Sequence, residues 1–80
     1  MTNKEIVMEI LDTYGCSNSK QITNLAYLRL NEHITPAQAA GAIRPLVKAG
    51  WAGSSKDDKN TTIYWLTEEG KKNKKKEENK

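Results

Sequence analysis

Residues 35–51 read TPAQAAGAIRPLVKAGW, with a helix start at one end and a helix stop at the other. The Thr35 hydroxyl can accept from amides of a first helical turn, Pro36 fits a first position that needs no amide partner, and Gln38 stands where its side chain reaches back to the cap. Together they announce a helix start. Ala39, Ala40, Ile43, Leu46 and Val47 then recur at helical spacing as one apolar face, and Gly50 closes the helix. Pro45 lies inside it. A proline there removes the amide that would bond the Gly41 carbonyl, at a cost of about 3 kcal/mol unless the helix bends. The reading is a kinked single helix, with a break at Arg44 as the alternative.

On the C-terminal side, residues 51–55 and 61–66 are rich in Trp, Thr, Ile and Tyr and flank the polar turn Lys56-Asp57-Asp58-Lys59-Asn60, the pattern of a β-hairpin. On the N-terminal side, residues 2–14 form an amphipathic helix: Thr2 and Glu5 make a capping-box signature, and Ile6, Val7, Ile10, Leu11 and Tyr14 share one face. Gly15 ends it. The polar run of residues 16–20 reads as a loop in which Asn18 or Ser19 caps a second helix reaching about Leu30. Its Ile22, Leu25, Ala26, Leu28 and Leu30 cover more than one face and call for neighbours on two sides. Three helices followed by a two-stranded hairpin wing is the α+β order of a winged helix. Residues 1–70 are assigned to this domain and residues 71–80 to a lysine-rich, disordered tail.

Composition narrows the function. With 80 residues, 36% apolar and 29% charged, the chain holds one small domain. No apolar run could span a bilayer, and the charges at Lys4, Glu5 and Glu9 do not suit a signal peptide, so a cytoplasmic protein without membrane contact is expected. Cys16 and His33 are the only residues of their kinds. They cannot make a disulfide framework or a four-ligand zinc site, and neither has a pairing partner at informative spacing. No metal, cofactor or catalysis is expected.

The net charge of +3 is unevenly placed. Residues 71–80 carry six lysines against Glu77 and Glu78, net +4, which leaves the rest of the chain at −1. Within that remainder, residues 18–60 hold Lys20, Arg29, Arg44, Lys48, Lys56 and Lys59 against Glu32, Asp57 and Asp58. A basic middle and a basic tail suit an anionic partner.

Leu25-Ala26, followed by Thr35-Pro36, Ala39, Ile43, Leu46, Ala49 and Gly50, resembles the apolar spacing of bacterial helix-turn-helix repressors. Residues 56–70, KDDKNTTIYWLTEEG, resemble the wing and following strand of the MarR and PadR regulators through Tyr64, Leu66, Thr67 and Gly70. The resemblance implies a winged-helix DNA-binding domain whose third helix enters the major groove. It departs from the family in a longer link between the second and third helices, in Pro45, and in lacking the long dimerisation helices. A monomer or weak homodimer is expected.

Under this resemblance the candidate DNA-binding residues are Ser19, Lys20, Thr35, Gln38, Gly41, Arg44, Lys48, Lys56, Lys59 and Asn60. Gln38 suits either a bidentate contact to adenine or capping alone. Arg44 and Lys48 suit guanine, phosphate or a solvated face, while Gly41 and Pro45 leave direct readout sparse. Ser19 and Lys20 can hold a phosphate at a helix start or only cap it. Lys56, Lys59 and Asn60 can touch the backbone, although Asp57 and Asp58 oppose them. Strand alternation and the family pattern turn Tyr64 and Leu66 inward and leave Ile63 and Trp65 for packing or an interface.

The reading is a small regulator, or an accessory protein of a phage or mobile element, that acts by occupying double-stranded DNA. The rival is a protein-interaction winged helix docking through Trp65. Single-stranded nucleic acid, with Tyr27 and Trp65 as stacking residues, is a third reading.

Overall fold

Each of the three helices read from the sequence begins with a reciprocal side-chain cap. The computed structural model describes the backbone of residues 2–78, with side chains through residue 74. Helix α1 (Asn3–Tyr14) starts at Thr2, α2 (Ser19–Leu30) at Asn18 and α3 (Pro36–Lys48) at Thr35. In every case the cap side chain accepts the amide three residues on, and Glu5, Gln21 or Gln38 accepts the cap's own amide. Two otherwise orphaned donors are satisfied at each start.

Strand β1 (Ser17–Asn18) lies between α1 and α2, and β2 (Ala52–Lys56) and β3 (Thr62–Leu66) form the hairpin. The sheet is antiparallel with order β1-β3-β2. Part of the polar run expected to be a loop is therefore a strand. Two residues carry no alternation to read, and Ser17 and Asn18 become strand only by pairing with Tyr64 and Ile63.

The core collects Ile6, Val7, Met8, Ile10 and Leu11 from α1, Ile22 and Ala26 from α2, Ile34, then Ala39, Ile43 and Leu46 from α3, with Ala52 and Leu66 from the hairpin. A fully buried aliphatic side chain of this kind contributes about 1.5–3 kcal/mol. Helix α2 has the two neighbours its apolar residues call for, α1 and α3, while Leu28, 71% exposed, and Tyr27, 55% exposed, lie on its outer side. Tyr14, counted with the apolar face of α1, is also exposed.

Helix α3 runs unbroken through Pro45, and Arg44 is not a boundary. The hydrogen-bond ladder resumes directly, because the Ala49 amide donates to the Pro45 carbonyl at 2.9 Å. Gly41, whose carbonyl loses its partner, is exposed to water. Gly50 then takes a φ of +83°, a left-handed turn that redirects the chain into β2.

The largest departure is at the C-terminus. Glu68–Glu78 form a fourth helix, α4, where the sequence reading places a disordered tail from residue 71. Its start is built from the Leu-Thr-x-x-Gly stretch. Thr67 Oγ1 accepts the Gly70 amide at 3.2 Å and donates to the Gly50 carbonyl at 2.7 Å, and the Thr67 amide donates to the Trp51 carbonyl at 2.9 Å. Gly70 is buried, and a Cβ there would collide with the Trp51 carbonyl oxygen and the Leu66 side chain. Further along, Lys74 Nζ sits 3.1 Å from Glu9 and 3.3 Å from Asp12, so α4 is tied to α1. Asn79 and Lys80, also assigned to the tail, lie outside the described residues.

Candidate nucleic-acid interface

The outward face of α3 follows from its inward one. With Ala39, Ile43 and Leu46 buried, the helical period turns Ala37, Gln38, Gly41, Arg44, Pro45 and Lys48 to the outside, and all six are exposed. Thr35 is exposed at the helix start. Nothing stands within 4 Å of where a Gly41 Cβ would be, so a partner can approach the backbone there.

Gln38 is not free at both ends. Its Oε1 accepts the Thr35 amide at 2.9 Å, and its own amide donates to Thr35 Oγ1 at 3.1 Å. The capping role suggested by the sequence is therefore made. Beside this face a groove of about 570 Å³ runs between α3 and the start of α1, with Gly41, Ala42, Pro45, Ala49 and Trp51 among its walls. Trp51 is half-buried against the core, and Lys4 Nζ lies 4.6 Å from its ring centre. This contact holds the α1 start beside the end of α3.

Ser19 and Lys20 lie in the first turn of α2, with Ser19 half-buried and Lys20 exposed. Capping there belongs to Asn18, whose Oδ1 accepts the Gln21 amide at 2.8 Å. At the wing tip, Lys56, Lys59 and Asn60 are exposed. Asp57 Oδ1 accepts the amides of Lys59 and Thr61, both at 2.9 Å, and Asn60 takes a left-handed φ of 63°. Asp57 thus organises the turn that presents the two lysines, a role hidden when its charge is counted only against theirs.

On β3, Leu66 is buried and Tyr64 packs partly against the core, while Ile63 and Trp65 are half-buried. Trp65 faces Gly53 across the ladder, and its indole occupies the space a Cβ of Gly53 would take. Cys16 is free and exposed, and the His33 ring packs against Tyr27 at 4.9 Å between centres. Among the described residues no group of three or more His, Cys, Asp or Glu side chains is placed to hold a metal ion, and no helix is long and apolar enough to cross a membrane.

Sequence reasoning missed Lys74, which it counted with the tail charge. Its side chain is only 13% exposed and sits on two carboxylates. The signal was present as an acidic pair at Glu9 and Asp12 on α1, but only a docked α4 brings the lysine to them.

No protein-family model matches the chain, and no curated protein matches it by sequence. Solved structures do match. A transcriptional regulator from Clostridium thermocellum superposes with a TM-score of 0.82 at 23% identity, over 94% of this chain and 75% of that one. F93 from STIV, a winged-helix DNA-binding protein, gives a TM-score of 0.85 at 18% identity, over 96% and 84% of the two chains. Bacillus subtilis PadR, solved with operator DNA, gives 0.75 at 18% identity over 91% of this chain, which spans 45% of PadR. With its three capped helices and hairpin, the chain has the winged-helix fold that the resemblance implied.

Proposed function

We propose that the protein is a winged-helix regulator that binds duplex DNA and acts by occupancy, with α3 in the major groove and the wing on the backbone. The observation that carries this reading is the exposed face of α3, on which Arg44 and Lys48 flank a surface otherwise free of bulk at Gly41. Lys20 at the start of α2, and Lys56, Lys59 and Asn60 on the wing, supply phosphate contacts that position the helix. Thr35 and Ser19 contribute hydroxyls at the two helix starts. The neighbours described as transcriptional regulators and DNA-binding proteins support the same assignment. A regulator or an accessory protein of a phage or mobile element fits it, in a cytoplasmic setting and with no catalytic step.

A salt titration of duplex binding tests it. Each phosphate neutralised contributes about −0.9 to the logarithmic slope, so replacing Lys20, Lys56 and Lys59 with glutamine should flatten the dependence while keeping sequence preference. Removing residues 71–80 is a poor test, since it also removes the Lys74 tie to α1. Lys71 and Lys72 are exposed, and their replacement reads the contribution of α4 cleanly. If duplex DNA is not bound, the face of Ile63 and Trp65 becomes the candidate surface for a second copy or a protein partner, with Trp65→Ala as the variant that tests it.

A further inference from the structure

We infer that Asp57 is a positioning residue for DNA binding, an inference that rests on the wing lying on the backbone: its Oδ1 holds the wing tip in the shape that offers Lys59 and Asn60 to phosphates, and this outweighs the repulsion from its own charge. Charge alone gives the opposite sign, because a carboxylate beside a phosphate weakens the contact.

Among the described residues, every hydrogen bond that closes the tip has Asp57 as a partner. Its amide donates to the Thr61 carbonyl at 3.0 Å, and its carbonyl accepts the Asn60 amide at 3.0 Å. Its Oδ1 accepts the amides of Lys59 and Thr61, both at 2.9 Å. An oxygen with two lone pairs can take both. Between those two amides Asn60 stands in the left-handed region, at a φ of 63°, which costs energy for a residue other than glycine. Without the side-chain bonds the tip has other shapes open to it, and binding would have to order it anew.

Asp58 is the internal control. It carries the same charge one residue on and is exposed, and its carboxylate makes no hydrogen bond or ion pair among the described residues. Below the tip the wing is fixed independently. The ladder pairs Lys56 with Thr62 and continues to Ala52 with Leu66, and the Trp65 indole covers Gly53. Loss of the Asp57 side chain is therefore confined to residues 57–61, and the domain keeps its fold.

The test measures affinity and its salt dependence for the full chain on a fixed duplex of random sequence. Asp57→Ala and Asp57→Asn remove the same charge, but only asparagine keeps an Oδ1 for the two amides. Asp57→Ala should weaken binding about fivefold, near the effect of fixing one backbone residue anew. It should also flatten the logarithmic salt slope by about 0.9 as the Lys59 contact is lost, which a change in stability alone would not do. Asp57→Asn and Asp58→Ala should each tighten binding about twofold, the size of a screened surface charge, without flattening the slope. In the free protein, amide exchange at Lys59 and Thr61 should rise in Asp57→Ala and not in Asp57→Asn. The inference is overturned if Asp57→Ala tightens binding as Asp58→Ala does, or if Asp57→Asn weakens binding as much as Asp57→Ala. Lys59→Gln separates the two levels: if it changes neither affinity nor slope, the wing does not lie on the backbone and that reading fails, whereas a loss with Lys59→Gln and none with Asp57→Ala overturns the role of Asp57 alone.

Discussion

Helices α3 and α4 both begin at a capping threonine, Thr35 and Thr67, yet they are held by different forces. Helix α3 drives Ala39, Ile43 and Leu46 into the core and carries its charges outward, so its place is set by apolar burial. Helix α4 has no such stripe. It is fixed by the Thr67 bridge to the Gly50 carbonyl, by the close approach at Gly70, and by Lys74 on Glu9 and Asp12. Conditions that weaken one attachment therefore leave the other: salt acts on α4, and loss of core volume acts on α3.

The largest effect is expected in the core. Ile43→Ala should cost about 2–5 kcal/mol in denaturant unfolding, because the methyl groups lost from a fully buried site leave a cavity. Gly70→Ala comes next, at about 1–3 kcal/mol, since the added methyl meets the Trp51 backbone oxygen, which cannot give way as a side-chain end would. Weaker still is Lys74→Ala, at about 1 kcal/mol at low salt and less as salt rises, with α4 amides exchanging faster while α3 amides do not. The carboxylates it pairs with are about one-third exposed, which limits the effect.

The smallest effect belongs to Glu5. Donation from the Thr2 amide, and then from the Thr2 hydroxyl, holds its carboxyl below the ordinary value. A lowered folded-state pKa gives stability that is present above the unfolded pKa and lost as pH falls through the folded one. Acid titration below the usual carboxylate range should thus fray the start of α1, and Glu5→Gln should remove that pH dependence. Amide exchange at Glu5 is the measurement.

The different forces also explain what could be read in the chain. Thr2 with Glu5, and Thr35 with Gln38, are local signatures, and each marks a helix start in the structure. Asn18 with Gln21 is as strong, but Ser19 beside it left the cap of α2 ambiguous until the hydrogen bonds were placed. Strand β1 and helix α4 depend on contacts distant in sequence. Ser17 needs Tyr64, and Lys74 needs α1. In the candidate site, helical spacing placed Gln38, Gly41, Arg44 and Lys48 on one exposed face. It could not show that Gln38 Oε1 closes the cap, because that depends on which atom of the amide meets the Thr35 N–H.

If α3 reads duplex DNA, affinity for a selected duplex depends on the side chains of its outward face. Arg44→Ala and Lys48→Ala should each weaken binding by about 1–3 kcal/mol while leaving the melting temperature within a few degrees, since both side chains are exposed. Full affinity in both variants would move the function to another surface of the molecule.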